Sequence, residues 1–193
     1  MKFRNVALFF ISPVIFLIVT GCSNQPELKW NQEDGYRWAE VSINNSGNAG
    51  FSQLSPSKTN IDFATNVSDQ RISENRNYAN GSGVAIGDIN GDNLPDIYFA
   101  STGGSNRLYK NLGNFEFEDI TAEAGVSHEG YSSTGVVLAD INGDSFKDLM
   151  ITSLSDGNSI YINDSTGTFT LIEESGLGES NGSHSMTLAD ING

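Results

Sequence analysis

The chain is short of cysteine, histidine, proline and positive charge, and each shortage excludes something. A single cysteine, Cys22, rules out an intramolecular disulfide. Ten basic residues stand against 24 acidic ones, giving a formal charge of -14 and an isoelectric point near 4.2. A surface so negative repels phosphate backbones and attracts cations, which excludes nucleic acid as a partner. Four prolines accompany 21 glycines, a balance that favours tight turns and short strands over long helices. No window carries a sustained helical period. What is present suffices for a fold. Hydrophobic residues at 37% and aromatics at 10% argue against disorder, and 193 residues is the length of one ordinary domain.

The long apolar run lies at the N-terminus. Lys2 and Arg4 precede apolar residues 6–19, broken only by Ser12 and Pro13, and then Thr20, Gly21 and Cys22. The run is short for a spanning helix, which needs about 20 residues. Basic start, apolar run and small residues are the order of a secretory signal. Val19-Thr20-Gly21-Cys22 resembles the bacterial lipobox. That resemblance implies a signal peptide over residues 1–21, lipidation of Cys22 as the first mature residue, and membrane attachment through the lipid. With Ser23 next, it implies delivery to the outer membrane of a bacterial cell envelope. Residues 22–50 read as a tether or linker, although Tyr36, Trp38 and their neighbours have enough apolar weight to dock somewhere.

The remainder is a repeat. Residues 83–92 (GVAIGDINGD) recur as 135–144 (GVVLADINGD), and residues 185–193 (SMTLADING) begin a third copy. The aspartates at 88, 140 and 190 are spaced by one four-stranded blade of a β-propeller. Alternation and turn residues predict strands over 83–87, 96–100, 107–110 and 115–120, and again over 148–152, 159–162 and 168–172. The fold class is therefore all-β: four-stranded blades over residues 51–193, with units at 82–133 and 134–183 and a third begun before residue 193. Phe51-x-x-Leu54-Ser55 echoes Phe117-x-x-Ile120-Thr121. Residues 51–61 are accordingly expected to be a closing strand, its partners lying beyond residue 193.

The turns carry the chemistry. Asp88-x-Asn90-x-Asp92-x-Leu94-x-Asp96 and Asp140-x-Asn142-x-Asp144-x-Phe146-x-Asp148 place oxygen side chains at alternate positions of a tight loop. Leu94 and Phe146 stand where a main-chain carbonyl can serve, so their side chains need not be polar. Five protein oxygens plus water suit Ca²⁺; Mg²⁺ demands stricter octahedral geometry. Zinc would want His or Cys, and neither loop has one. An EF-hand would need Gly at position 6 and Glu at position 12; here Gly91 and Gly143 stand at position 4, and position 12 is Phe99 or Ile151, in strands.

The loop pattern resembles the FG-GAP/VCBS repeat of integrin-type β-propellers. Residues 106–113 (NRLYKNLG), followed by 117–126 (FEDITAEAGV), are similar to the bacterial relatives of cartilage acidic protein, the ASPIC/UnbV-associated family. The resemblance implies a seven-bladed propeller of which this chain is the N-terminal part. It also implies structural Ca²⁺ held by Asp88, Asn90, Asp92 and Asp96 and by Asp140, Asn142, Asp144 and Asp148, with Asp190 and Asn192 opening a third site. No ASPIC/UnbV segment is visible. The function expected is a non-enzymatic, envelope-anchored binding or adhesion module with a protein or glycan ligand. Two alternatives stand beside it: a propeller-based polysaccharide lyase or hydrolase, and an envelope assembly or uptake component. His128 and His184 are expected at the surface or in turns, and Ser132, Ser133 and Ser185 lack a nucleophile-elbow context.

Overall fold

Short apolar and alternating stretches of three to seven residues become the strands of this protein. The computed structural model describes residues 29–40, 50–154, 157–177 and 182–189. These belong to two compact units, Met1–Phe51 and Ser52–Gly193.

In the first unit, β1 (Trp30–Glu33) and β2 (Tyr36–Ala39) form an antiparallel hairpin. Its turn is Asp34-Gly35, with Gly35 at φ 84°, the pairing a two-residue hairpin turn favours. Arg37 lies 4.7 Å over the Trp30 ring. Part of the stretch expected to be a tether is thus a hairpin with its own aromatic contact.

The second unit holds two antiparallel four-stranded meanders. The first has the order β3 (Val84–Gly87), β4 (Asp96–Phe99), β5 (Arg107–Asn111), β6 (Phe117–Asp119). The second has β7 (Ser133–Ala139), β8 (Asp148–Ser153), β9 (Ser159–Asn163), β10 (Phe169–Leu171) in the same sequential arrangement. Equivalent registers recur, with Gly87 opposite Asp96 and Ala139 opposite Asp148. The fold is all-β, built of propeller-type blades, and the described sheets do not close on themselves.

The core lies between the two sheets. Ile89, Tyr98, Leu108, Ala124 and Val126 of the first repeat pack with Leu149, Ile151, Tyr161 and Phe169 of the second. Each large apolar side chain so buried contributes about 1.5–3 kcal/mol. The Tyr98 hydroxyl donates to Val126 O at 2.8 Å and accepts from Asn106 Nδ2 at 2.8 Å, so the buried phenol is satisfied. Close approach of the first strands depends on glycine: a Cβ at Gly83 would stand 3.0 Å from Gly135 Cα.

The expected closing strand over residues 51–61 is not a strand. Residues 51–55 are irregular, Phe51 is exposed, and Pro56–Thr59 is a helical turn, α1. Pro56 occupies the start of that turn, where its missing N–H is no loss. No described strand lies beside residues 51–54 to complete a ladder, and an unpaired strand has no stability of its own. The sequence echo marks a different shared feature. β6 exits into α3 (Thr121–Ala124), capped by Gly125 in the left-handed conformation, and α1 is capped by Asn60 in the same way.

Residues 61–82 instead dock on the first sheet. Phe63 stacks on Phe99 with centroids 4.9 Å apart. α2 (Asp69–Glu74) is capped by Ser68 and leads to a 3₁₀ turn at Arg76–Asn80. Arg71 Nη2 donates to Ser132 Oγ at 2.7 Å while its guanidinium lies over Tyr78. Among the described residues no helix is long and apolar enough to cross a membrane.

Candidate metal loops

Both Asp-rich segments fold as the same loop, one between β3 and β4 and the other between β7 and β8. In the first, Asp88 Oδ1 accepts the N–H groups of Asn90 at 3.2 Å and Gly91 at 2.8 Å, and Oδ2 accepts that of Asn93 at 2.8 Å. In the second, Asp140 accepts from Gly143 at 2.7 Å and Ser145 at 2.9 Å. This winding turns Gly91 and Gly143 to positive φ, together with Asn93 and Ser145. The glycine is required there because a Cβ is disfavoured in that region.

The closing aspartates are the most enclosed part of each loop. Asp96 and Asp148 are fully buried. Asp96 accepts from Ile89 N at 3.0 Å and Asn111 N at 2.8 Å, and Asp148 from Ile141 N at 3.1 Å and Asn163 N at 2.9 Å. Desolvation pushes the Asp96 carboxyl above its ordinary value against the pull of those N–H groups, and the Asp92 and Asp88 charges push the same way. Asp88 goes down. Desolvation is the largest single influence and raises it, but the N–H donors of Asn93, Gly91, Asn90 and Asp92 together outweigh that. Asp140 is likewise lowered, with Gly143, Ser145, Asp144 and Asn142 outweighing desolvation.

The middle positions bond to one another. Asn90 Nδ2 donates to Asp92 Oδ2 at 3.0 Å, and Asn142 Nδ2 to Asp144 Oδ2 at 2.8 Å. Leu94 N and Phe146 N donate to Asp92 and Asp144, each at 2.8 Å. Among the described residues, no three His, Cys, Asp or Glu side chains converge as a metal-holding group. Asp190, Asn192 and Cys22 lie outside the described residues.

Two residues that the sequence reading passed over complete the loops. Asn111 and Asn163 each stand 15 positions after a closing aspartate and donate a main-chain N–H to it. Their side chains reach back to Pro95 O at 2.9 Å and Lys147 O at 3.0 Å. The repeated spacing was the available signal.

His128 lies in a loop, as one of the two expected placements has it, but not at the surface. It is buried, with Nδ1 2.9 Å from Ser133 Oγ and Nε2 2.9 Å from Ser159 Oγ, and it stacks on Tyr131. A serine and a histidine in contact invite a catalytic reading. Ser133, however, is fully buried and its hydroxyl also takes Asn106 Nδ2 at 2.9 Å, so it is not presented to a substrate. The trio pins the segment ahead of β7 to β7 and β9 of the second sheet.

The model for the FG-GAP-like repeat matches residues 88–151 and 140–193, and each match begins on the first aspartate of a loop. The chain belongs to the FG-GAP-like repeat family. This FG-GAP chain is also similar to cartilage acidic protein 1. It is 34% identical to the Mus musculus protein over 85 residues, covering 44% of this chain and 13% of that protein. Against the Homo sapiens protein it is 34% identical over 89 residues, covering 46% and 14%. Against that of Xenopus tropicalis it is 36% identical over 73 residues, covering 38% and 11%. The match thus spans less than a sixth of each relative. The FG-GAP-like repeats suggest a β-propeller-like binding module.

Proposed function

We propose that this chain is a calcium-stabilised β-propeller module that binds a protein or glycan, anchored to a bacterial envelope through a lipid on Cys22. The observation that carries the calcium reading is the recurrence of one oxygen-rich loop, with the same backbone bonds, in two successive blades. The donor set fits a hard cation: carboxylates, a side-chain amide and a main-chain carbonyl, with no nitrogen or sulfur ligand. Asp88, Asn90, Asp92, Asp96 and the Leu94 carbonyl would hold one ion, and Asp140, Asn142, Asp144, Asp148 and the Phe146 carbonyl the other. Asp88 Oδ1 already accepts two N–H groups, but Asp88 Oδ2 and both oxygens of Asp96 and Asp148 accept one each and keep a second lone pair. The Asn90–Asp92 and Asn142–Asp144 bonds would have to open toward the ion. When bound, the ion supplies charge neutralisation and crosslinking of the turn.

Calorimetric titration of the chain with CaCl₂ tests this reading. Two ions per chain support it, and no heat of binding sinks it. The lipid anchor is tested separately by detergent partitioning of the wild type and C22A expressed in a bacterium. A glycan array and a pull-down from envelope extract separate a glycan ligand from a protein one.

A further inference from the structure

Asn163 is 2% exposed and bonded at every polar group of its side chain and amide. Its main-chain N–H donates to Asp148 Oδ1 at 2.9 Å. Its Oδ1 accepts from Ser165 N at 3.1 Å and Gly167 N at 3.2 Å. Those two donors fix which way the amide faces, because a flipped NH₂ would oppose two N–H groups. Nδ2 is therefore committed to two carbonyls, Lys147 O of its own loop at 3.0 Å and Ile89 O of the preceding loop at 2.7 Å. Ile89 in turn donates its N–H to Asp96 at 3.0 Å. Three hydrogen bonds, with Ile89 and Asn163 as relays, thus connect the closing carboxylate of one loop to that of the next. The two loops also lie near each other: a Cβ added at Gly91 would reach to 3.8 Å from Phe146 Cε1.

We propose that Asn163 couples the two loops, so that a divalent cation held by one raises the affinity of the other. The proposal rests on the calcium reading above. A cation at the first loop fixes Asp96 and hence the Ile89 main chain. Asn163 is then held in the place where it orders Asp148, so the second ion meets a loop whose ordering cost has been met. Reciprocity requires the same effect in the other direction.

The repeat supplies its own control. Asn111 makes the same local bonds, to Asp96, Pro95 O and Gly113 N. Among the described residues its side chain has no bond to a second Asp-rich loop.

The test is calorimetric titration of the full chain with CaCl₂, with the second loop intact or silenced by Asp140→Ala plus Asp144→Ala. Both backgrounds are made with Asn163, with Asn163→Ala and with Asn111→Ala. Silencing the second loop should weaken binding at the first by roughly five- to tenfold when Asn163 is present. It should have no effect in N163A and should still weaken binding in N111A. Where N163A is too unstable to titrate, Asn163→Asp keeps the acceptor for Ser165 and Gly167 and removes both donations. Equal affinity of the first loop with and without the second, in the chain carrying Asn163, overturns the coupling. So does coupling that survives loss of the Asn163 amide. A chain that takes up no calcium at all overturns the calcium reading and the coupling together, a result distinct from two independent ions.

Discussion

Ile89 is fully buried, whereas Ile141, its counterpart in the next loop, is 39% exposed. Ile89 lies against Gly167 in the turn between β9 and β10, where a Cβ would stand 3.3 Å from Ile89 Cδ1. Its carbonyl is held by Asn163. Among the described residues, the second four-stranded sheet is followed by no further one. One residue type at one loop position thus has two environments.

Truncation should report that difference. Ile89→Ala removes a side chain from a packed core and should cost about 2–5 kcal/mol in urea denaturation. Ile141→Ala should cost about 1 kcal/mol or less, since an exposed side chain leaves a smaller cavity. Equal losses would mean that the loops are packed alike in solution.

Chelation should lower thermal stability. Calcium at about 100 times its dissociation constant adds about 2.7 kcal/mol through mass action. For a chain of this size that corresponds to roughly 5–10 °C in melting temperature. Differential scanning calorimetry with 1 mM CaCl₂ and then with EDTA checks this. An unchanged midpoint would remove the structural role assigned to the ion.

The period between Asp88 and Asp140 made the blades legible, since a duplicated segment must fold twice in the same way. Alternation then located strands such as Asp96–Phe99 and Ser159–Asn163 to within a residue or two. The turns at Pro56–Thr59 and Thr121–Ala124 were not legible, because four residues cannot display a helical period. Nor was the burial of His128, which depends on Ser133 and Ser159 being brought to it from two strands of the second sheet. The loop aspartates were visible as a pattern, yet the bond from Asn163 to Ile89 spans 74 positions and exists only once two blades pack.

Asp148 should matter even without metal. Its two oxygens satisfy the N–H groups of Ile141 and Asn163 in a fully buried place. Asp148→Ala orphans both donors and should cost on the order of 2–5 kcal/mol. Asp148→Asn keeps one acceptor oxygen and should fall between wild type and alanine. Denaturation in EDTA excludes any contribution from bound cations. An alanine variant as stable as wild type under those conditions would show that water satisfies these groups and that the site is less enclosed than the structure gives it.

Neighbouring glycines should respond oppositely to alanine. A Cβ at Gly103 would overlap the Asn66 carbonyl, a main-chain group that cannot swing away, and would also crowd Val67. Gly103→Ala should therefore displace residues 66–67 from the first sheet and cost about 2 kcal/mol or more. At Gly104 the same Cβ would meet only Ser101 Oγ, at an ordinary 3.8 Å. With φ outside the left-handed region there, Gly104→Ala should be neutral or stabilise by about 0.4–1 kcal/mol by restricting the unfolded chain. Urea midpoints of the two variants decide the matter. If G103A proves as stable as G104A, residues 66–67 do not lie on the first sheet in solution, and the docking of residues 61–82 fails with them.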